Sequence, residues 1–192
     1  MTEKKIRIQT LTVGAILTAI VVVLQLMGAF IRFGPFSISL VLLPIVIGAA
    51  MCNWKIGGGL GFIFGVAVIL SGDAMAFFAI DVVGTIITVL AKGTLCGVAA
   101  GLVYKLFEKH NSYLAVTAAA VVCPIVNTGI FLLGCKLFFF ETISQWGAAE
   151  GFTSVAKYMF LGLAGGNFLV ELAANIILAP VIYRIIKALR KG

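Results

Sequence analysis

The side chains in this sequence best suited to chemistry stand where the chain is most apolar. Asn167, Glu171 and Asn175 recur every four residues within Ala164–Pro180. Asp81, Thr85, Thr88 and Lys92 follow spacings of 4, 3 and 4 in another apolar run, and Asn127 and Thr128 come just after Cys123-Pro124 in a third. These spacings put each set on one face of a helix. A charge at the centre of a membrane helix costs about 2.5–3.5 kcal/mol, so such groups face a cavity or pair with one another. Two readings follow. Lys92 and Glu171 form a structural ion pair with the amides as interhelical glue, or the set lines a pocket for a small polar solute. The two overlap, because an ion pair can also orient a ligand. Counted along their helices, Asp81, Thr85, Thr88, Lys92 and Asn167 fall in the outer half, and Asn127, Glu171 and Asn175 nearer the midplane.

The elements that position these groups follow from composition. Of 192 residues, 62% are hydrophobic and only 11% charged, against about a quarter charged in a soluble domain; mean hydropathy is +1.19. The apolar residues come in runs of membrane-spanning length. They are not the ~10-residue alternating segments of an outer-membrane barrel, so helices satisfy the backbone in lipid. The fold class is therefore all-α, a polytopic membrane protein built as a compact bundle of six transmembrane helices in a single domain over residues 1–192. The expected spans are 8–31, 36–52, 55–71, 82–107, 113–137 and 160–188. The pattern leaves open whether 72–81 and 138–158 hold short helices. The first apolar run is too long for a signal-peptide core and is followed by no small-residue cleavage site.

Basic residues set the orientation. With both termini in the cytoplasm, the inner side holds Lys4, Lys5, Arg7, Lys55, Lys105, Lys109, Arg184, Lys187, Arg190 and Lys191; Arg32, Lys92, Lys136 and Lys157 fall elsewhere. Asp73, Glu141 and Glu150 lie in outer loops. This positive-inside bias fits an even number of spans and accounts for the net charge of +7 without nucleic acid as a partner.

Other chemistries lack their residues. Cys52, Cys96, Cys123 and Cys135 form no CxxC pair and read as small buried hydrophobes. His110 is the single histidine and lies in a charged loop, so neither a metal site nor a cofactor is expected. No nucleotide-binding loop, Gly-x-Ser-x-Gly elbow or His-Glu-x-x-His occurs, no catalytic set is assigned, and the chain reads as no enzyme. Any energy source comes from a partner or a gradient, or none is used.

Small residues mark close helix approach. Gly14, Ala15 and Ala19 form a strip on the first span. Gly57, Gly58, Gly59, Gly61 and Gly65 on the third, and Gly93, Gly97 and Gly101 on the fourth, read as internal packing. Pro44 and Pro180 read as kinks or helix ends.

Taken in order, these motifs resemble one family over essentially the whole chain. They are the basic N-terminus, Ala15xxxAla19, the stretch Phe33-Gly-Pro-Phe-Ser-Ile-Ser-Leu-Val-Leu-Leu-Pro44-Ile-Val-Ile-Gly48, the glycines from Gly57 to Gly65, and Lys92-Gly leading to Ala100-Gly-Leu-Val-Tyr-Lys105. The chain is similar to the S components of energy-coupling factor (ECF) transporters, the substrate-binding membrane subunits of these ABC-type importers. Where many relatives carry Gly-Pro between the second and third spans, this chain has Asn53-Trp54-Lys55, read as loop variation. The resemblance implies capture of a water-soluble vitamin or related micronutrient at the outer face of a bacterial plasma membrane. It implies delivery inward with a transmembrane coupling protein and two cytoplasmic ATPases, whose ATP hydrolysis topples the subunit. It also implies that Ala15 and Ala19 meet the coupling protein and that the loop between the first two spans, with Arg32, Phe33 and Phe36, gates the pocket. The pocket walls would carry Asp81, Thr85, Thr88, Lys92, Asn127, Asn167, Glu171 and Asn175.

A tight site of this kind needs a few directed polar groups in an apolar cavity. Phe36, Phe77, Phe78, Phe138, Phe139, Phe140 and Trp146 would either close its mouth and stack on a ring or form an interfacial belt. Lys92, Lys136 and Arg32 suit a carboxylate, which favours pantothenate; Asp73, Asp81 and Glu171 suit an amine or hydroxyls, and riboflavin or a folate precursor stays open. The alternative function is a stand-alone, gradient-driven secondary transporter of a small polar solute. It would favour inverted repeats, and none is detected between the two halves.

Overall fold

The computed structural model describes the backbone of residues 3–28, 32–33, 36–37 and 40–189, and the side chains of residues 10–28 and 40–188. The chain runs through α1 (Glu3–Gly28), a two-residue hairpin of β1 (Arg32–Phe33) and β2 (Phe36–Ser37), α2 (Leu42–Met51), α3 (Trp54–Leu70), α4 (Met75–Phe78), α5 (Val82–Phe107) and α6 (Ser112–Phe138). It continues with α7 (Phe140–Ala149), α8 (Val155–Lys157), a π-helical stretch Tyr158–Leu163, and α9 (Gly165–Leu189). The all-α membrane bundle expected from composition is what forms.

The six spans are not alike. Among the described residues, Thr10–Gly28, Val82–Phe107, Ser112–Phe138 and Gly165–Ala188 are long and apolar enough to cross a membrane. The second expected span, 36–52, instead holds β2 and the 10-residue α2. At 1.5 Å per residue such a helix is about 15 Å long, half a bilayer's hydrocarbon thickness. The largely apolar run from Phe36 to Met51, interrupted at Ser37 and Ser39, hid this, because a fully buried short helix is as apolar as a lipid-facing long one. Pro44 falls in the first turn of α2, where its missing N–H leaves no bond unmade. This short helix touches α1, α3, α5, α6 and α9, and Val41, Leu42, Ile45 and Val46 are wholly buried. It is the axis around which the bundle packs.

Helix starts are fixed by side chains that accept orphan backbone N–H groups. Asn53 Oδ1 takes the N–H groups of Lys55 and Ile56 at 2.9 and 3.0 Å, opening α3. Asp81 Oδ1 takes that of Val83 at 3.0 Å, opening α5. Asn111 Oδ1 takes those of Tyr113 and Leu114 at 2.9 and 3.1 Å, opening α6.

The antiparallel pair α3–α5 is joined by glycines. A Cβ added at Gly57 would meet the Gly97 carbonyl at 2.6 Å, and one at Gly61 would collide with the Gly93 carbonyl. One turn on, a Cβ at Gly65 would lie 3.0 Å from the Val89 carbonyl. Backbone-to-backbone contact of this closeness is open only to glycine. On the other side of α5, Gly134 of α6 makes room for the Thr88 side chain. Pro124 lies inside α6 and leaves the Ala120 carbonyl without its i+4 donor.

The segments left open in the sequence do contain helices. Residues 75–78 form α4, and 140–149 form α7. A second apolar cluster there joins Phe77, Cys135, Phe139, Ile143, Tyr158 and Leu163, with Trp146 and Phe152 against it. It caps one end of the bundle.

Candidate functional site

Beneath that cap lies a cavity of about 710 Å³, counting the open space at its mouth. Every helix of the bundle except α2 and the small α7 and α8 contributes to it.

Lys92, from the middle of α5, is the cation of the cavity wall among the described residues. Its Nζ stands 5.8 Å from the Phe64 ring centroid and 5.3 Å from that of Phe131. Two ring faces on α3 and α6 thus hold an ammonium at the cavity without neutralising it. Asn127, on α6 just past Pro124, is 6% exposed and lines the same space. Its Oδ1 is buried with no hydrogen-bond partner among the described residues. A buried acceptor left unpaired costs about 1–3 kcal/mol, so the position favours a ligand that brings an N–H or O–H. The cavity wall on α9 carries Asn167, Phe168 and Glu171. The π-helical stretch before it shifts the register that presents them. Such bulges concentrate at functional sites.

On the opposite wall stands Gln25, from the end of α1. Leu17, Val21 and Gln25 are its buried stripe at spacing four, and the last of the three is an amide, 1% exposed. Gln25 Nε2 donates to Ser71 Oγ and to Asp73 Oδ2, both at 3.4 Å. Asp73 lines the cavity too, in the turn between α3 and α4. Phe77 closes the wall beside it and meets Phe131, Phe139 and Trp146 ring to ring at 5.6, 5.1 and 6.0 Å. Of the aromatics weighed in the sequence, Phe77, Phe139 and Trp146 therefore belong to the cap. Phe138 and Phe140 are exposed.

The cavity brings together Lys92, Asn127, Asn167 and Glu171 from the eight expected site residues. The other four are placed elsewhere. Asp81 spends its carboxylate on the α5 cap. The Thr85 hydroxyl donates to the Asp81 carbonyl at 2.6 Å, the usual retreat of a threonine in a membrane helix. Thr88 packs at Gly134 on α6. Asn175 is 1% exposed and donates from Nδ2 to the Glu171 carbonyl at 2.8 Å. Helical spacing put these residues on faces with the cavity residues, but capping, bonds to their own helix backbone and α5–α6 packing claimed them. Gln25 was missed, although an amide continuing an inward stripe is the signal that would have found it. The gate positions Arg32, Phe33 and Phe36 lie outside the described side chains; only their backbones are described, paired Arg32 to Ser37 and Phe33 to Phe36.

On the far side of α1, Ala15 and Ala19 are exposed, and a Cβ at Gly14 would meet nothing within 4 Å. Gly59 apart, which is exposed with nothing within 4 Å of an added Cβ, the glycines of α3 and α5 are taken up by packing inside the bundle, whereas this strip is left on the surface.

At the cap, Tyr158 Oη donates to Glu150 Oε1 at 3.3 Å. Burial pushes its phenol up from the ordinary range, and the Glu150 carboxylate adds to the shift. Among the described residues no three of His, Cys, Asp or Glu converge as metal ligands.

A ligand cavity inside an all-helical membrane bundle defines a solute-binding membrane protein. The family model for the ECF transporter substrate-specific component matches residues 9–183, and the chain belongs to that family. Its function class is accordingly a transporter component. The chain is also 28% identical over 196 residues to the pantothenic acid transporter PanT of Lactococcus lactis subsp. cremoris, with 93% of this chain and 94% of that protein covered. No solved structure matches it.

Proposed function

We propose that this subunit captures pantothenate, or a closely similar aliphatic hydroxy acid, at the outer face of a bacterial plasma membrane. The observation that carries the reading is Lys92, an ammonium held on two ring faces in a cavity whose other polar groups are amides, carboxylic side chains and the Thr128 hydroxyl. A carboxylate paired with Lys92 gains a charge-assisted bond in a water-poor site. Asn127 Oδ1 then accepts from an amide N–H. The name of the Lactococcus relative supports the choice of acid. A flat heterocycle such as riboflavin fits less well, because the Phe64 and Phe131 faces are occupied by Lys92 and Phe77 is engaged with its neighbours' rings.

In this reading the cap of α4 and α7 faces outward and both termini face the cytoplasm. The hairpin with Arg32, Phe33 and Phe36 gates the mouth. Ala15 and Ala19 meet the transmembrane coupling protein, and two cytoplasmic ATPases drive release.

The test is titration calorimetry of the purified subunit with pantothenate and with riboflavin, together with mass spectrometry of any small molecule retained through purification. Pantothenate is expected to bind and riboflavin not. Lys92→Ala should weaken pantothenate by about 10–100-fold, the worth of a hydrogen bond to a charged group. Riboflavin binding, or unchanged affinity in Lys92→Ala, overturns the reading.

A further inference from the structure

The family resemblance directs attention to the later helices, yet a pole of the cavity is built by the first. We infer that Gln25 and Asp73 form a hydroxyl-recognition pole, distinct from the Lys92 pole, that selects a ligand carrying a hydroxyl at the end opposite its carboxylate. The inference rests on the proposed reading of the cavity and adds to it the residues that read the far end of the ligand.

Three observations point the same way. The first is burial. Gln25 is 1% exposed in a helix whose other buried residues on that stripe, Leu17 and Val21, are apolar. An amide there is paid for only if its polar atoms are used. The second is geometry. Its two hydrogen bonds, to Ser71 Oγ and Asp73 Oδ2, are both 3.4 Å long, at the outer edge of an N–H···O bond. Ser71 Oγ meanwhile donates to the Val68 carbonyl at 3.1 Å, which commits its proton and leaves the hydroxyl to accept from Gln25. The amide is thus tethered loosely between two acceptors beside the cavity. A ligand hydroxyl can take over one of these two long N–H bonds, donating to the Asp73 carboxylate and accepting from the Gln25 amide. A hydroxyl is the small group that offers both a donor and acceptor lone pairs.

The third observation is distance. Lys92 lies over Phe64 on α3, and Ser71, the C-cap of that helix, is seven residues on. At 1.5 Å per residue Phe64 and Ser71 are about 10 Å apart along the helix axis, which sets the scale of the separation between the poles. An extended chain covers about 1.2 Å per bond, so the ligand that reaches both is eight or so bonds long. An acyl-β-alanine whose acyl part ends in a hydroxyl has that length; a shorter hydroxy acid does not.

The experiment compares pantothenate with N-(3,3-dimethylbutanoyl)-β-alanine, which keeps the carboxylate, the amide and the branched carbon but lacks both hydroxyls. Each is titrated calorimetrically against the wild type, Asp73→Asn and Gln25→Leu. The wild type is expected to prefer pantothenate by at least about tenfold, since sites built to bond a hydroxyl reject analogues lacking it. In both variants that preference should collapse to within about threefold, with the affinity for the deoxy analogue held. Equal weakening of both ligands in the variants assigns Gln25 and Asp73 a purely structural role and overturns the inference alone. So does a preference retained at the wild-type level. A wild type that binds neither ligand overturns the pantothenate reading and this inference with it. Gln25→Glu, which keeps shape but removes the donor, serves as a second variant should Gln25→Leu fail to fold; it too should lose the preference.

Discussion

At the scale of single residues, the same polar side chain has three fates in this bundle: it caps a helix, bonds its own backbone, or faces the cavity. Asp81, Thr85 and Lys92 share one face of α5 and illustrate one fate each. The sequence made that face legible, but the division depends on where α5 begins. Once Asp81 is the N-cap, its carboxylate is committed. Gln25 was overlooked for the opposite reason: it is one amide with no polar neighbour, and shows only as the polar member of an otherwise apolar stripe. Tyr158 offers a pH test at this scale. Its folded-state value is raised above the ordinary phenol value of 10.0, first by burial and then by Glu150. The stability contributed by the protonated phenol is therefore full below about pH 10 and is lost as pH rises through the raised value. Absorbance titration at tyrosinate wavelengths should show the band absent from Tyr158→Phe appearing only above pH 10. Its appearance at or below the ordinary value would show that the phenol is neither buried nor beside Glu150.

At the scale of elements, the long helices α1, α5, α6 and α9 were readable because lipid demands length and hydrophobicity together. The length of α2 was not, since protein neighbours satisfy a short helix as well as lipid satisfies a long one, whereas α3, expected over 55–71, was placed to within a residue. The π-helical stretch Tyr158–Leu163 left no compositional trace either: it differs from an α-helix by backbone register alone. The glycine strips, by contrast, were read correctly as internal packing between α3 and α5. A paired substitution measures this. Gly61→Ala should lower the thermal unfolding temperature, with a loss of about 1–3 kcal/mol, because the new methyl meets the Gly93 carbonyl. Gly59→Ala, two residues away with nothing within 4 Å, should be neutral or stabilising by up to about 1 kcal/mol through helix propensity. Equal effects of the two would remove the case for backbone contact between these helices.

At the scale of the whole molecule, α1 serves two surfaces. Its inner stripe ends in Gln25 at the cavity, and its outer face shows Ala15 and Ala19 beside large exposed apolar residues such as Leu11, Ile16, Ile20 and Val23. Small residues flanked by large ones form a shallow groove suited to another helix. Ala15→Trp and Ala19→Trp should abolish copurification with the coupling protein and uptake driven by the ATPases. Neither residue lines the cavity, so pantothenate affinity should stay within about twofold. Intact assembly in both variants would move the partner surface elsewhere on the bundle.

The burial of α2 bears on how the chain comes to be seated in its bilayer. A helix about 15 Å long cannot hold a place in lipid as an independent insertion unit. Its surroundings include α5, α6 and α9, all synthesised after it. The ribosome therefore delivers the centre of this protein before the walls that will house it. The contacts of α2 with α5, α6 and α9 can form only once those later helices have been made.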